Sequence, residues 1–302
     1  MIIALTGATG FVGQAFVDLA LAAGHQLTAL ARAPQDPRPG VEWISGDLEN
    51  RAALATLVRD ADAVVHIAGV VNAPDREAFE IGNVRGTLNL VEAAGKEGVS
   101  RFVHVSSLSA REPSLSAYGA SKARGETVVK ATLLDWTIVR PPAIYGPRDK
   151  EMFELFRAAR WGLVPMPKEG RASLIHVEDL ARLLLALLPG SLRVSGHTFE
   201  PDDGRAGGWE HRELALAIGW AVGRRPKVLS LSPAALRRAA GIDGFLRGRG
   251  AKMTQDRAAY FSHPDWTGQP SAQVPHEVWE ATVETRTGLK TTAQWYREQG
   301  WL

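Results

Sequence analysis

The chain has 302 residues, of which 45% are hydrophobic and 23% are charged, and its formal net charge is +2. This length allows one large α/β domain, or such a domain with a smaller lobe, and the small net charge gives no indication of nucleic-acid binding. The sequence contains no cysteine, which excludes disulfides, thiolate catalysis and cysteine metal sites.

The N-terminal segment "MIIALTGATG" lacks the basic region and the long apolar run of a signal peptide. The sequence has no run of about 18 apolar residues, so we expect no membrane-spanning helix. These features favour a cytoplasmic protein, and peripheral attachment to the cytoplasmic face of a membrane remains open.

The first predicted element is a short apolar strand, "IIAL", which leads into "TGATGFVG" and then into a helical pattern. This order is typical of a dinucleotide site, because the glycines let the backbone approach the pyrophosphate and the helix N-terminus supplies free N–H groups. A tight turn without a ligand is the alternative. The residues predicted to bind the cofactor here are Gly7, Thr9, Gly10, Phe11, Val12 and Gly13.

Further strands are predicted at residues 26–31, 41–44, 63–69, 102–107 and 136–140, with helices between most of them, notably at 78–97 and 115–132. Such alternation predicts an α/β fold with a Rossmann-type, doubly wound parallel sheet, which binds ligands at the carboxyl ends of its strands. The cofactor contacts predicted near these ends are Asp47, Leu48, Ala68, Gly69 and Pro141.

The end of the second strand bears on the choice of cofactor. NAD sites often place an acidic residue there to accept from the ribose 2′-hydroxyl, whereas this chain has Arg32. Because a guanidinium suits a 2′-phosphate, the sequence favours NADP(H) over NAD(H). A solvated loop arginine is the alternative. Asp47 is predicted to accept from the adenine amino group.

Tyr118 and Lys122 in "YGASK" lie one helical turn apart, and Ser107 ends the strand before them. A phenol with a pKa of about 10 is a poor proton shuttle at neutral pH, and a nearby ammonium is expected to lower that pKa. Tyr118 could then exchange a proton with an alcohol while hydride moves to or from a nicotinamide. Ser107 could hold the substrate oxygen. Ser106 should face the other side of its strand.

Eight pieces in chain order carry a resemblance: "TGATGFVG", "GDL", "HIAG", "NVRGTLNLVEAA", "HVSSLSA", "YGASK", "VRPPAIYGPRD" and "IHVEDLA". Over residues 1 to about 190 the chain resembles the short-chain dehydrogenase/reductase superfamily, in its extended and atypical NAD(P)-dependent epimerase/dehydratase-like branch. The resemblance implies a catalytic triad of Ser107, Tyr118 and Lys122. It also connects Asn83 with the proton relay, for which a helix-packing amide is the alternative.

One departure bears on the substrate. Sugar-nucleotide epimerases and dehydratases of this superfamily usually have "VYG" after the serine and a longer loop to the tyrosine, whereas "LSAREPSLSA" is short. The chain is more similar to members related to the accessory NADPH-binding subunit of respiratory complex I and to bacterial oxidised-ceramide reductases.

The strand–helix alternation fades in the second half. We predict a cofactor-binding core at 1–140 with a returning segment at about 173–190, and a lobe at 141–302 that mainly binds substrate. No metal site is predicted, because His176 lies near Glu178 and Asp179 without a cluster of other histidines. Six of the nine tryptophans follow residue 200, where they could form core, line an apolar pocket or face an interface.

The most unusual stretch is 221–252, which has eight cations against one acid, Asp243, and hence a net charge of +7. The cations are Arg224, Arg225, Lys227, Arg237, Arg238, Arg247, Arg249 and Lys252. The apolar residues among them are Leu236, Ala239, Ala240, Ile242, Phe245 and Leu246. Such a basic amphipathic segment could contact an anionic membrane surface. A solvated helix, or one that binds an anionic substrate group, is the alternative.

Together these features favour an NADP(H)-dependent oxidoreductase that interconverts a ketone and a secondary alcohol on a hydrophobic, lipid-like small molecule, for example a 3-oxo-ceramide or a steroid-like compound. Two alternatives stay open: a nucleotide-sugar epimerase or dehydratase, and a non-catalytic NADPH-binding subunit or assembly factor. Self-association is also open.

Overall fold

The computed structural model describes residues 1–248, 251 and 253–302, so Arg249 and Lys252 of the basic stretch lie outside the described residues. The chain divides into two compact units. The first comprises Met1–Pro141, Leu180–Glu200 and Val274–Glu280. The second comprises Pro142–Asp179, Pro201–Gln273 and Ala281–Leu302.

The strands and helices are numbered in chain order. The strands are β1 Ile2–Thr6, β2 Gln26–Ala31, β3 Val41–Ser45, β4 Ala63–His66, β5 Arg101–Val105, β6 Asp135–Val139, β7 Ala143–Tyr145, β8 Leu163–Pro167, β9 Arg171–Ala172, β10 Leu174–His176, β11 His197–Phe199, β12 Trp209–Glu210, β13 Lys227–Leu231 and β14 Asp265–Trp266. The helices are α1 Phe11–Ala22, α2 Arg51–Val58, α3 Arg76–Phe79, α4 Gly86–Lys96, α5 Ala117–Lys130, α6 Phe153–Arg160, α7 Val177–Ala186, α8 His211–Ala221, α9 Pro233–Arg247, α10 Gln255–Phe261 and α11 Thr285–Glu298.

The first unit is built on a seven-stranded sheet in the order β11-β6-β5-β4-β1-β2-β3. Every neighbouring pair in it is parallel. The strand order reverses at β1, which pairs with β2 on one side and β4 on the other, so ligands of such a sheet bind beside the carboxyl end of β1. The predicted Rossmann-type fold is confirmed. All six predicted strands form, and β11 adds a seventh that was not predicted.

A layer of helices covers this sheet through apolar side chains. Leu54 and Leu57 of α2, together with Leu90 of α4 and Val129 of α5, are fully buried in one cluster with strand residues such as Phe102. The helix predicted at 78–97 is interrupted. It consists of α3, a six-residue π-helical turn at Glu80–Arg85, and α4. Such turns are often found at functional sites, and this one contains Asn83.

The second unit has small sheets and an aromatic core. Strand β10 pairs with β7, β13 pairs with β8, and β9 lies between β12 and β14. Tyr145, Phe156 and Tyr296 are fully buried in its core. Trp209 and Trp266 of this unit are buried and Trp220 is half exposed, whereas Trp279 is buried in the first unit.

The boundary between the units differs from the predicted returning segment at 173–190. Strand β10 belongs to the second unit, and Leu180–Glu200, which includes β11, belongs to the first. His176 is buried in the second unit, where its ring packs edge-on against Tyr145 and its Nδ1 atom accepts from Glu178 N at 3.3 Å. Among the described residues, no helix is long and apolar enough to cross a membrane.

Candidate active site

The glycine loop after β1 is shaped by two positions that exclude a side chain. Gly7 has a φ of +81°, and a Cβ atom there would lie 2.6 Å from Ala68 N. A Cβ atom on Gly13 would lie 2.0 Å from the Gly7 carbonyl oxygen. Helix α1 begins at Phe11, and among the described residues no side chain caps its N-terminus. Its first N–H groups can therefore donate hydrogen bonds to phosphate oxygens, and the loop fits a nicotinamide dinucleotide.

The remaining candidate cofactor residues lie around the carboxyl ends of the strands. Arg32 is exposed directly after β2 and forms no ion pair within the described part of the chain. Asp47 Oδ1 accepts from Glu49 N at 2.9 Å and from Asn50 N at 3.1 Å, so one carboxylate oxygen already holds the turn before α2. The backbones of Leu48 and Ala68 are held by hydrogen bonds within the protein. Leu48 O accepts from the Asn89 side chain, and Ala68 N donates to Thr6 Oγ1.

The structure brings Ser107 and Tyr118 together. Ser107 precedes a short 3₁₀ turn, Leu108–Arg111, and its Oγ atom accepts from Ser109 N at 3.2 Å and lies 2.9 Å from Ser109 Oγ. Tyr118 lies in the first turn of α5, which Ser116 caps by accepting from Gly119 N. The Tyr118 hydroxyl is hydrogen-bonded to the side chains of both Ser107 and Ser109. Three hydroxyl groups thus meet at the carboxyl end of β5.

Lys122 lies one turn after Tyr118 and is buried. Its Nζ atom donates to Val105 O at 2.9 Å, and a Cβ atom on Gly69 would lie 3.3 Å from it. Burial lowers the pKa of Lys122 to about 8, although the Glu126 carboxylate opposes this change. One ammonium hydrogen is used by Val105, which leaves two for a ligand such as a ribose hydroxyl.

The acidity of Tyr118 differs from our expectation. Burial raises the pKa of Tyr118 above its ordinary value of 10, and the hydrogen bonds to Ser107 and Ser109 only partly offset this effect. The expected lowering of this pKa by the lysine ammonium is therefore not met, because burial is the dominant effect. The raised pKa keeps the phenol protonated at neutral pH, which is the form that donates a proton.

Asn83 connects the segment after β4 with α5. Its Oδ1 atom accepts from Val70 N at 2.7 Å, and its Nδ2 atom donates to Val70 O and to Ser121 Oγ, both at 2.9 Å. Ser121 Oγ in turn donates to the Tyr118 carbonyl oxygen at 2.7 Å. These contacts favour the packing alternative for Asn83, because both its amide oxygen and its amide nitrogen already form hydrogen bonds within the protein.

Ser106 and Ser107 face different partners, as the alternation along a strand predicts. Ser106 Oγ donates to Glu126 Oε1 at 2.6 Å, and Arg140 donates to the same carboxylate at 2.7 and 2.8 Å. Burial raises the pKa of Glu126, but the Arg140 hydrogen bonds and charge outweigh it and hold this pKa below its usual value.

Sequence reasoning missed the buried ion pairs that hold the Ser107 turn. Arg140 and Arg111 each lie 3.3 Å from Glu200, which is almost fully buried after β11. Arg111 is the last residue of the turn that carries Ser109, and the turn is also fixed by Leu108 N, which donates to Pro141 O at 3.0 Å. Pro141 therefore contributes to the candidate site through its carbonyl group.

Two buried histidines on neighbouring strands were also missed. His66 and His104 are register partners on β4 and β5, with ring centroids 5.1 Å apart. Thr87 Oγ1 donates to Asn83 O at 2.8 Å, so it must accept from His66 Nε2 at 3.0 Å. His66 Nδ1 then accepts from Thr6 Oγ1 at 2.6 Å. This series of hydrogen bonds joins the end of β1 to the π-helical turn that contains Asn83.

Comparisons with known proteins show the family to which the chain belongs. A family model described as NAD(P)H-binding matches residues 7–189, which is more than half of the chain. The chain belongs to the NAD(P)H-binding family. A ceramide reductase of Caulobacter vibrioides is 37% identical over 312 residues, covering 100% of this chain and 96% of the relative.

Two further similarities are to a curated protein and to a solved structure. The mitochondrial NADH-ubiquinone oxidoreductase 40 kDa subunit of Neurospora crassa is 32% identical over 148 residues, which cover 49% of this chain and 39% of that subunit. The solved structure of MoeE5 with UDP-glucose and NAD has a TM-score of 0.77 and 23% identity, and covers 99% of both chains. At this identity the likeness to MoeE5 shows the fold alone.

Ser109 offers a test of the hydroxyl cluster. Replacing Ser109 with alanine should lower turnover by up to about tenfold, because one hydrogen bond to the Tyr118 hydroxyl and one to Ser107 Oγ are lost. The loss also raises the pKa of Tyr118 further, so the pH–rate profile for alcohol oxidation should move to higher pH. Ser114→Ala, at an exposed position of the same loop, is the matched control. An unchanged profile in Ser109→Ala contradicts a role for Ser109.

Proposed function

We propose that the protein is an NADP(H)-dependent oxidoreductase that interconverts a ketone and a secondary alcohol on a hydrophobic, lipid-like substrate such as a 3-oxo-ceramide. The observation that carries this proposal is the Tyr118 hydroxyl, hydrogen-bonded to Ser107 at the carboxyl end of β5, with buried Lys122 one turn further. It is supported by the full-length similarity to a ceramide reductase. Cytoplasmic placement is part of the proposal.

The candidate residues divide the chemistry between them. In carbonyl reduction, Ser107 Oγ donates a hydrogen bond to the substrate oxygen, and Tyr118 transfers its hydroxyl proton to that oxygen. When bound, the reduced nicotinamide supplies the hydride that the carbonyl carbon receives. In alcohol oxidation, the Tyr118 phenolate takes the alcohol proton instead. Lys122 uses its two remaining N–H groups to orient the cofactor ribose.

Arg32 is proposed to select NADP(H). Replacing Arg32 with alanine should reduce the preference for NADPH over NADH by about 10- to 100-fold, because a charge-assisted contact to the 2′-phosphate is lost. Dissociation constants measured by fluorescence titration with both cofactors test this. Arg32→Lys is the matched control, since it keeps the positive charge without the fork geometry of the guanidinium. Its preference for NADPH over NADH should lie between that of the wild type and that of Arg32→Ala. A wild-type protein that binds NADH as tightly as NADPH contradicts the proposal.

One experiment distinguishes the proposed reductase from a nucleotide-sugar enzyme and from a non-catalytic cofactor-binding subunit. The purified protein is incubated with NADPH and a 3-oxo-ceramide in micelles, and separately with UDP-glucose and NAD⁺, and the products are identified by mass spectrometry. Reduction of the lipid ketone is the expected result. Conversion of the sugar nucleotide alone would instead support the epimerase or dehydratase alternative. Cofactor binding without any turnover would support a non-catalytic subunit.

A further inference from the structure

Helix α9 carries apolar side chains on two opposite sides. Leu236 and Ala240 are buried, and with Ala258 of α10 they form a small apolar cluster. Ile242, Phe245 and Leu246 are exposed to 62%, 90% and 74%. The apolar residues that the sequence predicted as a single face are therefore divided between a buried and an exposed side. Ile242, Phe245 and Leu246, on the exposed side, have no packing partner among the described residues.

The positions of these residues follow from helix geometry. At about 3.6 residues per turn, Phe245 lies roughly opposite Leu236. Ile242 lies three residues before Phe245 and four before Leu246, so it neighbours both of them on the helix surface. Arg238 precedes Ile242 by one turn and shares that outer side. Ile242, Phe245 and Leu246 with Arg238 are called the outer face of α9, whereas Arg237, nine residues before Leu246, lies off this face.

The outer face of α9 carries positive charge without a compensating acid. Asp243 is the one acidic residue of the helix, and it faces its own unit, where it accepts from Met253 N at 2.8 Å and pairs with Arg247 at 3.3 Å. Arg224, Arg225 and Lys227 are exposed in the segment that leads to α9. The surroundings of the apolar side chains are therefore cationic.

We propose that the outer face of α9 docks on an anionic lipid bilayer. Exposed aromatic and aliphatic side chains beside arginines are typical of helices that lie in the boundary between headgroups and acyl chains. The arginine stems can follow the apolar side chains inward while their guanidinium groups stay among the lipid phosphates. Each cation near an anionic leaflet adds attraction that salt screens.

A bilayer fits this surface better than a second protein chain. A specific protein interface buries about 800 Å² on each partner, whereas even a large side chain such as phenylalanine contributes about 200 Å². The three exposed side chains of the outer face therefore fall short of a stable protein interface. A bilayer needs no shape complementarity, and its anionic phosphates match the arginines.

Vesicle flotation with the full chain tests the proposal, and its readout is binding, so it is independent of the proposed reaction. The wild-type protein should float with vesicles of equal parts phosphatidylglycerol and phosphatidylcholine, stay behind with phosphatidylcholine alone, and be released by about 0.5 M salt. Phe245→Ser with Leu246→Ser should weaken binding at least about tenfold. Arg238→Glu, which reverses the charge on this face, should also weaken binding.

The control is a double variant at two exposed leucines of the first unit, Leu133→Ser with Leu192→Ser, which should float like the wild type. Circular dichroism and NADPH binding confirm that every variant is folded. The proposal is overturned if the wild type does not float with anionic vesicles, or if the α9 variants float as well as the control. Concentration-dependent dimers that the Phe245 and Leu246 changes abolish, without vesicle binding, would assign the face to a second copy instead.

Discussion

Replacing Tyr118 with phenylalanine is expected to lower the turnover of carbonyl reduction by about 10² or more while the affinity for NADPH stays unchanged. The substitution removes the proposed proton donor and leaves Ser107 and Ser109 in contact with each other. The ring keeps its place, because its centroid lies 6.0 Å from that of Phe79 and phenylalanine preserves that contact. Steady-state kinetics and a cofactor titration on the same preparation separate the two effects.

Tyr260→Phe is the matched control for this loss, since it removes a phenol hydroxyl from the second unit and should keep normal turnover. Near-normal turnover in Tyr118→Phe would remove Tyr118 from the mechanism. The direction of the pKa change adds a second criterion. Because the pKa of Tyr118 is raised above 10, reduction by the wild type should show no loss of the protonated phenol between pH 7 and 9.

The candidate triad could be predicted because its parts follow local rules. A strand end places Ser107, and the helical repeat puts Tyr118 and Lys122 on one face. Ser109 was missed because its hydroxyl reaches Tyr118 through the 3₁₀ turn, and "LSAR" does not indicate that turn. Glu200 was missed because it pairs with Arg140 across 60 residues of sequence, at the end of a three-residue strand with no apolar run.

The basic stretch shows another limit of sequence patterns. Apolar residues between 236 and 246 recur at helical spacing, which indicates a helix but does not show which of them find a partner. Packing decides this, since Leu236 and Ala240 meet α10 and Phe245 does not. In the same way, His66 and His104 appear in the sequence as two separate strand residues, and only the register of β4 and β5 places their rings side by side.

The two buried histidines should make the first unit sensitive to acid. Burial and the Lys122 charge lower the pKa of His66 from 6.5 to about 3, and burial, His66 and Lys122 lower that of His104 well below 6.5. The native state therefore keeps both rings neutral, while the unfolded chain takes up protons below about pH 6.5. For each histidine the free energy of unfolding should fall by about 1.4 kcal/mol per pH unit as the pH decreases from 6.5 towards the native pKa.

His104→Leu isolates this effect, because other groups oppose it in the whole chain. Asp149 in the second unit has its pKa raised to about 7 by burial, so the native state gains stability there as the pH falls from 7. Urea unfolding at several pH values should show that His104→Leu loses about 1.4 kcal/mol less per pH unit than the wild type below pH 6.5.

At pH 7.5 the same variant should be as stable as the wild type or more stable. Neither ring nitrogen of His104 has a hydrogen-bond partner within the described part of the chain, so an apolar side chain of similar size removes two unsatisfied polar atoms. His276→Leu is the matched control, because His276 is exposed in the same unit and its loss should leave the pH dependence as in the wild type. If His104→Leu and the wild type lose stability in parallel on acidification, then His104 takes up its proton in the native state, and burial does not keep this ring neutral.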